Sequence, residues 1–218
     1  SAHFYCVCQT FHPPYIKYQQ IISWIPLCFQ SFSLRQKDDK IRLKDIKMRL
    51  FIGIKTGCED YLAALQRRLA ELGRGRFTER DNLHLTLKFL GEVPPHRVKE
   101  ICGAMAQVRC EPVSLICLGV HIFNRNGIIS CGVGGDTAAL RALAARLEAA
   151  LETIGFPKEN RPFRAHITLA RDFRPNPGAD VESIPFSGKA FTVKEIILFE
   201  SARVGGRLVY LPLYTQKI

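Results

Sequence analysis

The sequence predicts an antiparallel α+β fold in which two pseudo-symmetric lobes meet across a groove. Three observations lead there. Strand and helix patterns are mixed and include hairpin turns, which disfavours a parallel doubly wound sheet. Each half of the chain beyond Met48 carries one strand whose polar face is built on His-x-Thr, within residues 82–90 and 163–171. The 218 residues are enough for one large domain or two small lobes with a sizeable core.

Residues 1–47 differ in texture from everything that follows. They mix aromatics, prolines and glutamines, as in His12-Pro13-Pro14-Tyr15, and then turn charged in a stretch that can form a short helix. We expect an N-terminal extension outside the main fold. Cys6-x-Cys8, with His3 and His12 nearby, is half of a metal-binding pattern. A structural zinc site needs a second ligand pair at defined spacing, and none follows, so no metal is expected.

From Met48 the pattern is regular. Leu50, Ile52 and Ile54 alternate with Arg49, Phe51 and Gly53, which predicts a core strand. Tyr61, Leu62, Leu65, Leu69 and Leu72 predict a helix over 59–72, stopped by Gly73 and Gly75. In the strand that follows, alternation sends Leu83, Leu85, Leu87 and Phe89 to the core and lines up His84, Thr86 and Lys88 on the other face. Gly91 begins a turn, and Pro94-Pro95 opens a second helix that buries Val98, Ile101 and Met105. Strands over 113–122 and 128–133 flank Asn124-Arg125-Asn126-Gly127, whose Asn-Gly signals a hairpin. Gly132-Val133-Gly134-Gly135 lacks the spacing and lysine of a phosphate-cradling loop and reads as a strand-to-helix turn. Asp136 caps a third helix carrying Leu140, Leu143, Leu147, Leu151 and Ile154, ended by Gly155. The second motif strand puts Arg164, His166 and Thr168 on one face and Ala165, Ile167 and Leu169 on the other. A proline-rich loop at 174–178 and strands near 191–200 and 208–213 complete the chain.

Charge and cysteine usage bound the function. The net charge is +11; residues 1–47 hold seven Lys/Arg against three Asp/Glu, or +4, which leaves +7 for the remainder. A basic body suits a polyanion such as RNA, although it also serves plain solubility. No apolar run approaches the ~20 residues that span a bilayer, and no secretory leader is evident, so no membrane association is expected. Eight cysteines occur without disulfide-dense spacing, and most beyond residue 48 sit among apolar neighbours. They read as reduced thiols acting as small hydrophobes in a cytoplasmic protein.

Two imidazoles and two hydroxyls are a reaction kit. Histidine titrates near pH 6.5, so one ring can take a proton from a nucleophile while the other gives one to a leaving group. Each threonine can donate to a non-bridging phosphoryl oxygen, and Lys88, Arg164 or Arg171 can add positive charge. By alternation Arg164 shares the face of His166, whereas Arg171 falls on the opposite face unless the strand ends there. A single His-x-Thr would mean little, because threonine is a good strand former. Two copies, each on the polar face of an apolar strand, mark a site. His3, His12, His96 and His121 lack that context and read as surface or structural. Phe123 and Tyr210 read as core packing, although either ring could stack on a base.

His84-Leu85-Thr86-Leu87 and His166-Ile167-Thr168-Leu169 resemble the paired HxTx motifs of the 2H phosphoesterases. More narrowly, the chain from Met48 onward resembles the bacterial and archaeal RNA 2′,3′-cyclic phosphodiesterase (2′-5′ RNA ligase) family. The likeness extends to residues 48–52 and 82–92, Arg161-Pro162-Phe163-Arg164 and Leu198-Phe199-Glu200-Ser201. It implies two antiparallel sheets flanked by helices around a central cleft, in a phosphoesterase domain over 48–218 that uses no metal or other cofactor. It also implies hydrolysis of an RNA 2′,3′-cyclic phosphate to a 2′-phosphomonoester, with His84 as proton donor, His166 as proton acceptor and Arg171 favoured at the phosphate. With an RNA 5′-hydroxyl in place of water, the same site would form a 2′-5′ linkage. Cleavage of 2′-5′ oligonucleotides or of a small cyclic phosphate is an alternative, and a basic RNA-binding module without chemistry is the alternative from another class. The expected partners are RNA ends or cyclic nucleotides, and the expected state is a monomer. The chain departs from the family in having Ala165 where proline is frequent, and in residues 1–47, which have no counterpart.

Overall fold

The computed structural model describes residues 47–124 and 126–218. The expected N-terminal extension, apart from Lys47, and its Cys6-x-Cys8 pattern lie outside the described residues. Among the described residues there are nine strands and three α-helices. In chain order they are β1 (Met48–Ile54), α1 (Glu59–Leu72), β2 (Gly73–Phe77), β3 (Leu85–Val93), α2 (Val98–Ala106), β4 (Val113–Asn124), β5 (Ile128–Gly135), α3 (Thr137–Glu152), β6 (His166–Pro175), β7 (Lys189–Val193), β8 (Glu195–Val204) and β9 (Arg207–Lys217). The strands run β7-β4-β5-β6-β3-β1-β8-β9, with β2 also on β6, and every pairing is antiparallel. The antiparallel α+β class read from the sequence is thus the one found. The two lobes, β7-β4-β5-β6 and β3-β1-β8-β9, join through one residue pair, Leu85 with Ile167. Both motif strands sit at that junction.

The helices form where the apolar spacing predicted them. Leu62, Leu65 and Leu69 of α1 and Leu140, Leu143, Leu147 and Leu151 of α3 are buried stripes. Asp136 accepts the Ala139 N–H at 2.9 Å and so caps α3, while Glu59 and Asp60 oppose the positive end of the α1 dipole. These stripes cover one face of the sheet and enclose Leu50, Ile52, Leu85, Ile167 and Leu169 in the main core. Each such side chain contributes about 1.5–3 kcal/mol. Cys58, Cys117 and Cys131 are buried among them as free thiols, and burial pushes the Cys58 thiol up to about 12. The opposite face carries a small cluster of its own: Phe51, Ile197 and Phe199, with Tyr210 packed against them.

Strand β2 is absent from the sequence reading, which took Gly73 and Gly75 only as helix stops. The chain does leave α1 there, but it continues along β6, with Gly73 opposite Pro175. A Cβ on Gly73 would fall 2.5 Å from the Arg174 carbonyl oxygen, so the strand fits only because the side chain is missing.

A β-bulge reverses part of the expected alternation in β3. Ile52 pairs with Lys88 and Gly53 with Thr86, which leaves Leu87 as an extra residue. Beyond it the faces exchange. Phe89, expected in the core, stands 56 % exposed, and Lys88 turns toward the helices with 6 % exposure. The Lys88 ammonium donates to Glu148 Oε1 at 2.9 Å and to the Pro157 carbonyl at 2.7 Å, with Glu159 Oε1 at 3.5 Å. Placing Lys88 beside the histidine for phosphate was therefore wrong; it is a buried tie between β3 and α3. We expect Lys88→Met to leave turnover within about threefold of the parent. Glu148→Ala, which leaves the buried ammonium only the Pro157 carbonyl and the more distant Glu159, should cost about 1–3 kcal/mol in denaturant unfolding. A hundredfold loss of kcat in Lys88→Met would return Lys88 to the site.

Strand β6 repeats the device at the same offset. Ile129 pairs with Ala170 and Ser130 with Thr168, so Leu169, three residues after His166, is the extra one. Here the exchange carries the exposed Arg171 round to the face of His166 and Thr168. This reverses the sequence-based ranking of Arg164 above Arg171.

Candidate active site

Both histidines are held in the same way. His84 Nδ1 lies 2.6 Å from the Asn82 carbonyl and His166 Nδ1 lies 2.8 Å from the Arg164 carbonyl, in each case two residues back. A carbonyl only accepts, so Nδ1 carries the hydrogen and Nε2 keeps the lone pair of the neutral ring. Thr86 Oγ1 stands 2.9 Å from His84 Nε2 and donates to it in that state. Among the described residues no hydrogen bond engages Nε2 of His166. The antiparallel pairing of Leu85 with Ile167 sets His84 opposite Thr168 and Thr86 opposite His166. The two imidazoles then form one diagonal of a four-residue square and the two hydroxyls the other, with diagonal Cα atoms roughly 7–8 Å apart.

Asn82, 5 % exposed, locks the first half of the site. Its side chain donates to the Leu208 carbonyl at 2.8 Å and accepts the Tyr210 N–H at 3.1 Å, so β9 is tied to the turn that holds His84. Tyr210 meets the His84 ring edge-on at 5.0 Å and Phe51 lies 4.8 Å away. Gly53 completes the nest: a Cβ there would come 3.3 Å from His84 Cδ2 and 2.9 Å from the Leu85 carbonyl oxygen. In the second half, Phe123 stacks on His166 at 4.0 Å, and the Arg164 guanidinium lies 5.0 Å from the centre of the Phe123 ring. Each imidazole thus has an aromatic partner, and neither Tyr210 nor Phe123 belongs to the main core.

Burial dominates the electrostatics. It pushes His84 down to about 4; the bond to Asn82 opposes the shift, and the charges of Lys55, Arg171 and His166 add to it. His166 is lowered too, first by burial, against the Arg164 carbonyl bond, and then by the charges of Arg171 and Arg164. The charge of Arg171 acts on both rings. Its neighbour Asp172, in the left-handed region at φ 51°, pairs instead with Arg76. Among the described residues no ion pair holds Arg171.

Of the residues singled out from the sequence, the structure gathers His84, Thr86, His166, Thr168 and Arg171, holds Arg164 behind Phe123, and removes Lys88. The sequence reading passed over Asn82 as a clamp, although it opens the motif block, and over Gly53. His121, read from the sequence as surface or structural, is half-exposed and lies near the second half of the site. A Cβ on Gly132, the β5 residue opposite His166, would lie 2.7 Å from the His121 ring, and His121 Nδ1 is 3.7 Å from Glu182. Only the β4–β5 register reveals that proximity. Among the described residues no group of three or more His, Cys, Asp or Glu side chains is placed to hold a metal, and no helix is long and apolar enough to cross a membrane.

Comparisons with known proteins converge on these strands. The chain is 33% identical over 141 residues to the RNA 2′,3′-cyclic phosphodiesterase of Escherichia coli strain K12, covering 64% of this chain and 77% of that protein. It is 35% identical over 129 residues to the protein of that name from Geobacillus stearothermophilus, covering 56% of this chain. The chain spans 41% of the length of the Geobacillus protein and 65% of its Aeropyrum pernix counterpart. The crystal structure of E. coli LigT in apo form superposes with a TM-score of 0.65 at 27% identity, covering 78% of this chain and 97% of that one. A complex of the same protein with 3′-AMP gives 0.64 at 26%, covering 79% and 98%. The family model described as LigT like Phosphoesterase matches residues 52–130 and 134–210, a span that takes in both histidine motifs, Arg171 and Tyr210. The chain belongs to the LigT-like phosphoesterase family.

Proposed function

We propose that this chain hydrolyses the 2′,3′-cyclic phosphodiester at an RNA end to a 2′-phosphomonoester, without a metal, through His84 as proton donor and His166 as proton acceptor. The observation that carries this reading is the identical anchoring of the two rings, each presenting Nε2 from one square of side chains under the charge of Arg171. A water attacks phosphorus and gives its proton to His166 Nε2. The P–O3′ bond breaks, and O3′ takes the proton carried on His84 Nε2. Thr86, Thr168 and Arg171 stabilise the charge gathering on the non-bridging oxygens, and exchange with solvent resets both rings. Arg164 supports this arrangement through Phe123 rather than by touching phosphate.

Before substrate binds, the lowered pKa of His84 keeps its ring neutral near pH 7. The diester anion offsets Arg171 and favours the protonated ring, so substrate and proton bind together. Removing a proton by raising pH therefore weakens productive binding, and kcat/KM should follow a bell centred on the acid side of pH 6.5. We assign the chemistry to residues 48–218, acting as a monomer; the buried thiols of Cys58, Cys117 and Cys131 suit the reducing cytoplasm. Names borne by relatives, RNA 2′,3′-cyclic phosphodiesterase and a LigT complex with 3′-AMP, support the substrate class.

The test is incubation with an oligonucleotide ending in 2′,3′-cyclic phosphate, in EDTA, followed by identification of the product isomer. A 2′-phosphate formed at undiminished rate is expected. A 3′-phosphate, or turnover lost in EDTA and restored by a divalent cation, would overturn the mechanism. Tight, salt-sensitive binding without hydrolysis would point to an RNA-binding module. An added 5′-hydroxyl RNA tests the reverse direction, formation of a 2′-5′ linkage.

A further inference from the structure

Among the described residues, Phe89 and Phe186 are exposed rings that the proposed chemistry does not use, and Phe89 lies near the histidines. Phe89 is 56 % exposed, yet it stands on the face that holds His84. Its ring is 6.0 Å from Phe51, which lies 4.8 Å from His84, stacks on Phe199 at 5.1 Å and meets Tyr210 edge-on at 4.8 Å. These four aromatics form a ledge that starts at the histidine and ends in solvent at Phe89. The bulge at Leu87 puts the ring there; regular alternation would have buried it and exposed Lys88. Phe89 also follows His84 by five residues across a bulge, as Arg171 follows His166. In one half of the molecule that position supplies a cation to the phosphate, and in the other half it supplies an apolar ring farther out.

We propose that Phe89 is a base-stacking subsite for single-stranded RNA, holding the nucleotide that precedes the cyclic end. This rests on the phosphodiesterase reading above and extends it from the reacting phosphate to the chain behind it. The occupant follows from continuity with the site. With the phosphorus beside His84, a base standing against the half-buried Tyr210 belongs to the terminal nucleotide, and the exposed Phe89, set beyond the buried Phe51, meets the base before it. A phenylalanine face has no hydrogen-bonding groups, so it accepts any base. The net charge of +7 carried by residues 48–218 favours the accompanying phosphates. The subsite makes the enzyme prefer an oligonucleotide over a cyclic mononucleotide.

The experiment compares wild type, Phe89→Ala and Phe89→Tyr on a 2′,3′-cyclic mononucleotide and on a trinucleotide with the same cyclic end. It also measures binding of the trinucleotide 2′-phosphate by fluorescence anisotropy. In Phe89→Ala we expect kcat/KM on the trinucleotide and affinity for its 2′-phosphate to fall roughly tenfold to a hundredfold. The mononucleotide should be turned over within twofold of wild type, and Phe89→Tyr should restore the trinucleotide. Equal losses on both substrates, or no loss on either, would overturn the subsite, as would a change of oligomeric state in Phe89→Ala, which would make the ring a contact between copies. If wild type hydrolyses neither substrate, the catalytic reading fails by itself, and the anisotropy arm still decides whether Phe89 holds RNA.

Discussion

His84→Ala and His166→Ala should each lower kcat on a 2′,3′-cyclic phosphate end by roughly 10²–10⁴-fold, while RNA affinity changes only a few-fold. The expectation follows from how little else is available to move a proton. Each ring is fixed by one carbonyl at Nδ1, and among the described residues no other imidazole is anchored in this way toward the same square of side chains. Removing one ring strands the other, because a base without an acid leaves O3′ as a poor leaving group. The double variant should accordingly be little worse than either single one. His84 is packed among Phe51, Tyr210 and Gly53, so thermal unfolding must accompany the assay to show that the variant is folded. Loss of binding with turnover intact would remove the two-histidine mechanism and favour a passive RNA-end binder.

The histidines and threonines were legible because a repeated local pattern carries its own register. His-x-Thr on an apolar strand forces both polar side chains to one face wherever the strand lies, and two copies suggested convergence before any fold was known. What alternation misjudged lies beyond the bulges. Nothing in Leu87-Lys88-Phe89 or Leu169-Ala170-Arg171 announces an extra residue, since a bulge is set by the partner strand: Ile52 and Gly53 in one case, Ile129 and Ser130 in the other. So Lys88 and Phe89 exchanged places, and Arg171 came to the face of His166 and Thr168. Strand β2 was missed for a related reason. A short Gly-Arg-Gly-Arg-Phe run has no apolar period, and its place is fixed by close approach to β6. Asn82 was on view in the motif block, but a side chain that binds two backbone groups of a strand more than 120 residues later has no local signature.

The arginines separate a fold-based account from one based on alternation. Arg171→Ala should lower kcat/KM roughly 10²–10³-fold, the usual loss when one donor to a developing oxyanion is removed. Arg164→Ala should cost no more than about tenfold, since its guanidinium only backs the Phe123 ring that stacks on His166. The pH profile gives a sharper readout than rate. The charge of Arg171 lowers both imidazole pKa values, so its loss raises both. The ring that must be neutral then requires a higher pH to lose its proton, and the ring that must be protonated keeps its proton to a higher pH. Both limbs of the kcat/KM bell move to higher pH in Arg171→Ala. Arg171→Lys restores the charge and should return the bell to its place while recovering only part of the rate, because an ammonium lacks the planar fork. A rate loss with the bell unmoved would mean that Arg171 shapes the strand rather than the field. In that case the bulge at Leu169, which turns the side chain toward the histidines, would be structural alone.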